Sequence, residues 1–377
     1  MRVYTSIEGV NAEVDKNKLV ILSERSLKVL SSAVLNGGLT KANAIININV
    51  SEYRDEEIHK NPEDILKKAV AELDLDSEKV VGIMTAADVR KVEVFDQRQQ
   101  DITLSTFVTA GVDVSATAGE NTVSKQNSLN INMAGTINII LIIDGNLTES
   151  CMVDAVKTVT EAKTVALREL DLRSYFSGDL ASGTVTDTVV VACTKRGKPL
   201  EYAGTATVLG ELIGKSVRES VKKAIQKQGK MMANRSLIQR LGERGIPLAK
   251  AITLFSETRP KICTSSKRFE QFREQIQQVL SDPNVASLVI AGLRLDDDVK
   301  NGLIPVGMCN KSIVCGILQT AIMNYLRDKN VAKKFLKLDY TSLASVDNLD
   351  PFTESILVAI MNSVYSNMCG QRARASN

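Results

Sequence analysis

Residues 134–147 read AGTINIILIIDGNL. Between the Gly-Thr pair and the Asp-Gly pair lies an aliphatic run, Ile139 to Ile143, preceded by Asn138. The run has the length of a strand rather than of a helix, and its lack of alternation marks a strand of the core. Asp144-Gly145 is its turn. With side chains alternating at a period of two, Thr136 and Asn138 fall on one side of the polar entrance to this strand. That entrance is the first place where the sequence could carry chemistry.

Working outward, LTESCMVDAVKTVTEAKTVALREL predicts a helix of about five or six turns. Its apolar positions Met152, Ala155, Val156, Val159, Ala162, Ala166 and Leu170 follow the 3.6-residue period. TVTDTVVVAC, rich in β-branched residues, predicts a strand. VLGELIGKSVRESVKKAIQKQ predicts a second amphipathic helix that turns basic towards its end, as the helix dipole favours. Upstream, NKLVILSE, VVGIMTA, RKVEVFDQ and ITLSTFVTAG predict strands, and ANAIININV alternates as a half-buried strand should. NPEDILKKAVAELDL opens with Asn61-Pro62, an N-cap and N1 pair. Strands alternate with helices but also follow one another, so the fold class is α/β with a mixed sheet and flanking helices.

Residues 229–262 contain short helical pieces interrupted by Gly242, Gly245, Pro247 and Pro260, and read as a linker. Beyond them the pattern is helical. SSKRFEQFREQIQQVL has a Ser N-cap, and Asp282-Pro283 and Asp350-Pro351 mark the starts of two buried helices. The expected organisation is an α/β domain over 1–228 and a smaller all-α domain over 263–377.

Composition excludes several classes of function. An apolar fraction of 44% supports a large core, built from aliphatic residues because aromatics make up only 4%. A net charge of +3 argues against a nucleic-acid surface. No stretch reaches the roughly 18 apolar residues that span a bilayer, and MRVYTSIEGVNAEVDKN lacks the apolar core of a signal peptide. The expectation is a soluble cytoplasmic protein without a membrane partner. The six cysteines form no C-x-x-C pair and read as reduced, mostly buried thiols. The single histidine, His59, lies in a charged stretch and reads as solvent-exposed. Multi-histidine metal sites are therefore ruled out, and a hydrolytic base has to be a carboxylate, a lysine or a positioned water.

Gly-Thr pairs recur at the edges of regular elements, at Gly135-Thr136, Gly183-Thr184 and Gly204-Thr205, with Thr109-Ala110-Gly111 as a fourth corner. Glycine lets backbone N–H groups approach a ligand and Thr adds a hydroxyl. These corners either line one pocket for neutral amide groups or simply mark strand ends. Lys163 follows Val159 by four residues and intrudes on the apolar stripe of its helix, unless it snorkels to solvent. Glu161 points to nearly the other side, where it can pair with Lys157. Asp187 shares a strand face with Val189, Val191 and Cys193, and is either exposed at the strand end or used in a site. Asp296-Asp297-Asp298 reads as a cation site or, more plainly, as a solvated helix end.

GTINIILIIDGNL, TEAKTVALREL, SGDLASGTVTDTVVVA and YAGTATVLGELIG, in this order and spacing, resemble the adenosylcobinamide amidohydrolase family over about residues 75–225. The resemblance implies cleavage of the amide joining aminopropanol to the corrin ring, giving adenosylcobyric acid in corrinoid salvage and cobalamin biosynthesis. It implies a corrinoid small-molecule partner, no cofactor and no metal for that reaction, and leaves homo-oligomerisation open. Asp187 or Glu161 would activate water, and Lys163 would support the carboxylate or the oxyanion. Thr109, Gly111, Gly135, Thr136, Asn138, Gly183, Thr184, Gly204 and Thr205 would bind substrate. Two positions depart from the family pattern: Asp113-Val114 stands where an Asn follows the TAGV corner, and Ala206 where a His follows Gly-Thr. They leave a non-catalytic corrinoid-binding protein as an alternative. The helical domain resembles, in DPNVASLVIAGLRLDDDVKNGLIP and LDPFTESILVAIMNSVY, a degenerate α-ribazole phosphatase related to phosphatidylglycerophosphatase A. Magnesium would be needed only if that domain were active, making the chain a bifunctional fusion.

Overall fold

The computed structural model describes residues 2–53, 58, 60–122, 135–229, 235–259, 265–304, 313–329, 343 and 349–370. His59, expected to be exposed, lies outside the described residues, as do Cys263 and Cys309. The chain divides into two units, Met1–Ala233 and Asn234–Asn377.

The first unit is built on a nine-stranded mixed sheet. Its strands are β1 (Arg2–Val3), β2 (Val10–Val14), β3 (Lys18–Ser31), β4 (Gly38–Asn49), β5 (Val80–Thr85), β6 (Glu93–Gln99), β7 (Ile102–Ala110), β9 (Ile137–Asp144) and β12 (Thr188–Cys193). Two-residue strands form small separate pairs: β8 (Ser115–Ala116) with β11 (Gly183–Thr184), and β10 (Asn146–Leu147) with β13 (Pro199–Leu200). The long strand β3 pairs along one edge with β4, with a register shift between Leu22 and Leu27. Along the other edge it pairs first with β2 and then, over Lys28–Ser31, with β12. From there the order runs β12–β9–β7–β6. β12 and β9 are parallel neighbours, aligned Thr188 to Asn138, and β9 and β7 are antiparallel.

β9 is the aliphatic run of 134–147, and it is buried on both faces. Ile137, Ile139, Leu141 and Ile143 face two helices, α2 (Glu149–Glu169) and α3 (Val208–Lys227). Ile140 and Ile142 face a second core with Leu19, Ile21, Ile45 and Ile83, formed where β3, β4 and β5 curl over the sheet. Each such side chain contributes roughly 1.5–3 kcal/mol on full burial, which explains why the strand carries no alternation. β4 differs from the half-buried strand its alternation predicts. Ala44 to Ile48 are all buried, because α1 (Pro62–Glu72) covers the outer face through Leu66, Ala69 and Val70. Pro62 opens α1, but the Asn61 side chain makes no capping bond. Thr148 and Thr207 cap α2 and α3 by accepting from Cys151 N and Gly210 N.

The second unit contains α4 (Leu237–Glu243), α5 (Leu248–Glu257), α6 (Ser266–Leu280), α7 (Pro283–Lys300), α8 (Ile313–Asp328) and α9 (Pro351–Gly370). The stretch read as a linker over 229–262 includes α4 and α5. Their residues Leu241, Ala251, Ile252 and Phe255 enter the same core as α6, α7 and α9. Gly245 and Pro247 separate the two helices, while Gly242 lies within α4. No helix among the described residues is long and apolar enough to cross a membrane.

Candidate functional site

The N-terminal ends of the parallel strands β9 and β12 lie side by side, and the C-terminal end of β7 reaches the same place. Asp187 stands one residue before β12. The period of two turns its side chain towards the helical layer, the side on which Val191 and Cys193 pack. Lys163 comes down from α2 to meet it. Lys163 is 7% exposed, so it does not snorkel; its Nζ donates to Asp187 Oδ2. The other carboxylate oxygen accepts from Ile137 N at 3.2 Å, from Thr184 N at 3.1 Å and from the Thr184 hydroxyl. Four donors thus converge on one half-buried carboxylate.

The Gly-Thr corners make this approach feasible. A Cβ on Gly183 would overlap Asp187 Oδ2 and come within 2.8 Å of Lys163 Nζ. One on Gly135 would lie 3.0 Å from Val114 N. Gly111 N donates to Thr136 O at 3.0 Å. The Thr186 hydroxyl donates to Gly135 O at 3.1 Å and lies 2.6 Å from the Thr136 hydroxyl, which therefore donates to it. The structure accordingly brings together Lys163, Asp187, Gly111, Gly135, Thr136, Gly183 and Thr184. Thr186 joins them unpredicted, although its place between Thr184 and Asp187 was a usable signal.

Thr109 and Asn138 do not belong to this cluster. They are cross-strand neighbours on the face covered by β4 and β5. Asn47 Nδ2 donates to Thr109 Oγ1 at 3.0 Å, and Asn138 Nδ2 donates to Asn47 Oδ1 at 3.0 Å and to Met84 O at 2.8 Å. Asn138 is 1% exposed. The side shared by Thr136 and Asn138 therefore borders the Lys163–Asp187 cluster at one residue and is sealed interior two residues on. Asn47, a polar step of an alternating strand in sequence, is buried at the centre of this amide network.

Glu161, Gly204 and Thr205 lie in a different setting, a surface depression of about 390 Å³ also lined by Lys157, Tyr202 and Ala206. Glu161 is exposed. Lys157 pairs with Asp154 at 2.5 Å and holds that carboxyl below its usual range. Asp154 also accepts from Ala203 N, which ties the Gly204 corner to α2. Cys151, on the same helix as Asp154, is fully buried, and that burial pushes its thiol up to about 11.

In the second unit, the acidic run Asp296-Asp297-Asp298 is not a solvated helix end. Asp296 is buried and accepts from Phe352 N at 3.0 Å and from Thr353 N at 2.9 Å, so it caps α9. Asp350, expected to cap that helix, instead meets Lys300 at 3.0 Å. Asp297 pairs with Arg244 and Arg294. Among the described residues no three carboxylate, cysteine or histidine side chains gather as a metal site.

Comparison with known proteins bears on the first unit. A protein of Methanosarcina mazei, described as adenosylcobinamide amidohydrolase, is 28% identical over 207 residues, covering 52% of this chain and 90% of its own. An uncharacterized protein of Methanocaldococcus jannaschii, MJ1613, is 47% identical over 98 residues. That match spans 26% of this chain and only 38% of the relative's length. Among solved structures, the PH0078 protein from Pyrococcus horikoshii aligns at a TM-score of 0.30 and 13% identity, over 58% of this chain and 78% of that one. This is too remote a likeness to inform the fold. The model of the adenosylcobinamide amidohydrolase family matches residues 1–233, all of the first unit and more than half of the chain. By that match the chain belongs to the adenosylcobinamide amidohydrolase family.

Proposed function

We propose that this chain hydrolyses the amide joining aminopropanol to the corrin ring of adenosylcobinamide, releasing adenosylcobyric acid for cobalamin synthesis. The observation that carries the reading is the Lys163–Asp187 pair, set among Gly-Thr corners inside the unit that the family model covers. Amide cleavage needs transition-state stabilisation on the order of 8–23 kcal/mol. Asp187 is the group placed to take a proton from an attacking hydroxyl, and Lys163 holds it in position. The hydroxyl oxygens of Thr136 and Thr184, whose protons go to Thr186 and Asp187, are placed by the corners to accept from the N–H of a neutral amide. Glu161, exposed in the separate depression with Gly204 and Thr205, is assigned to substrate contact rather than to proton transfer. No cofactor is invoked.

A second reading, a corrinoid-binding protein without turnover, is favoured by one observation: Ala206, standing where the family pattern has His, lines that depression. Incubation with adenosylcobinamide, followed by mass spectrometry for aminopropanol and adenosylcobyric acid, separates the two. Release supports hydrolysis; tight binding without release sinks it. A parallel incubation with α-ribazole phosphate and magnesium tests the helical unit. We expect no phosphate release there, because Asp296 and Asp297 are engaged with α9 and with arginines.

A further inference from the structure

Resting on the amide hydrolysis proposed above, we infer that the nucleophile is the hydroxyl of Thr184, and that hydrolysis passes through an ester of that residue. Three hydroxyls surround the cluster, and they differ in what accepts their proton. The Thr136 hydroxyl donates to Thr186, and Thr186 donates to a neutral carbonyl, Gly135 O. Neither meets a base. The Thr184 hydroxyl donates to Asp187 Oδ1, the carboxylate whose second oxygen holds the buried Lys163 ammonium. Thr184 N donates to the same Oδ1 at 3.1 Å, so one carboxylate oxygen clamps both the backbone and the hydroxyl of this residue. Gly183, with no Cβ, lets the ion pair lie against the chain immediately before the nucleophile. Lys163 is buried, whereas Thr184 is only half-buried, so its hydroxyl is more open to a substrate amide than the ammonium is.

The steps balance without any co-reactant other than water. Thr184 Oγ attacks the amide carbonyl carbon and its proton passes to Asp187. Asp187 gives that proton to the amide nitrogen as the C–N bond breaks, and aminopropanol leaves with the corrinoid acyl group held as an ester on Thr184. Water then attacks the ester carbonyl and gives a proton to Asp187. The C–O bond to Thr184 breaks, its oxygen takes the proton back, and the carboxylic acid departs. Lys163 is a positioning residue that keeps Asp187 oriented and offsets its charge.

The test uses the full chain with adenosylcobinamide in the presence and absence of hydroxylamine. Wild-type protein is acid-quenched during turnover, digested with trypsin, and the peptide 174–195 searched for a corrinoid acyl mass on Thr184. The expected result is that adduct, or, where deacylation is too fast for it to build up, a corrinoid hydroxamate formed at an unchanged rate of aminopropanol release. Thr184→Ala should lower kcat by about 10³-fold or more, and Thr184→Ser should restore it to within about tenfold of wild type. Aminopropanol release with neither adduct nor hydroxamate makes water the nucleophile and overturns the inference while leaving the hydrolysis intact. So does a Thr184→Ala rate within about threefold of wild type. A wild-type chain that releases no aminopropanol removes both readings. Because adduct and hydroxamate are sought in wild-type protein, a Thr184→Ala chain that fails to fold does not spare the inference.

Discussion

Replacing Asp187 with Asn keeps the size of the side chain and removes only its charge and one acceptor oxygen. In the native arrangement, Oδ1 serves Ile137 N, Thr184 N and the Thr184 hydroxyl, while Oδ2 serves Lys163. An Asn can keep one set or the other. With its oxygen on the backbone side, its NH2 faces the Lys163 ammonium, donor against donor. Flipped, it satisfies Lys163 and abandons two N–H groups, at about 1–3 kcal/mol each. Breaking a buried ion pair from one side costs about 3–5 kcal/mol. The side chains of Lys163 and Asp187 are 9% and 12% exposed, so some water reaches them, and we place the loss near the lower end, at about 3 kcal/mol. That is a large part of the roughly 5–15 kcal/mol of a typical domain, yet leaves the unit folded. The readout is urea unfolding by thiol labelling at Cys151 and Cys193, both free and buried in the first unit. The midpoint should fall by about 1–2 M, and aminopropanol release should vanish. Adding Lys163→Met should recover much of the stability, by removing the stranded ammonium, and none of the activity. An Asp187→Asn chain within about 1 kcal/mol of wild type, or a double variant less stable than the single one, would refute this account.

Three further outcomes follow from the same geometry. Gly183→Ala places a Cβ where the ion pair now sits, so turnover should fall at least tenfold while stability drops by only about 1–2 kcal/mol, as the two side-chain ends shift apart; unchanged turnover would show that the close approach is dispensable. Asn138→Ala strips Asn47 Oδ1 and Met84 O of their donor and should cost about 1–3 kcal/mol, yet leave KM and kcat of the folded protein unchanged; a raised KM would restore Asn138 to the pocket wall. Burial raises the carboxyl of Asp296 above its ordinary value of 3.8 despite its capping bonds. The folded unit then holds that proton more tightly than the unfolded chain does. Its contribution to stability is present below the unfolded value and is lost as pH rises through the folded one. Relative to Asp296→Asn, the wild-type helical unit should therefore gain stability as the pH is lowered through this window, and parallel pH profiles for the two would sink the argument.

How much of this was legible in the sequence depends on whether a signal lies within one element or between two. The strand at 137–144, the helix at 149–169 and the caps at Ser265 and Asp282 each follow from local pattern, and each is present. The direction of Asp187 was also legible, because the period of two assigns it to the face of Val191 and Cys193. Its partner was not. Lys163 breaks the apolar stripe of α2, but a lone lysine on a helix has solvent as its usual outlet. Only the packing of α2 on β12 supplies the carboxylate that keeps it inside. Asn138 failed for the converse reason. Period-two spacing tells which side a residue faces, and not whether β4 and β5 have folded over that side. The same limit applies to the cap of α9, where Asp296, fifty-odd positions upstream, takes the role that adjacency assigned to Asp350.

The pair itself is hard to explain by stability. Replacing a buried ion pair with apolar residues of similar volume is often neutral or stabilising by about 1–4 kcal/mol, and the surrounding positions of α2, β9 and β12 are already Ala, Val and Ile. A strut here needed only two more aliphatic side chains. The chain instead places a lysine on an otherwise apolar helix face, sets an aspartate at the end of an aliphatic strand, and omits the Cβ of Gly183 to let them meet. It then aims two backbone N–H groups and a hydroxyl at the same carboxylate. Local choices that oppose propensity and burial in three separate elements, yet agree with one another in space, point to selection for chemistry at that spot. Glu161 meets no such opposition. It lies on the exposed face of its helix, where a glutamate is ordinary, and this contrast is why we propose Asp187 rather than Glu161 as the proton acceptor.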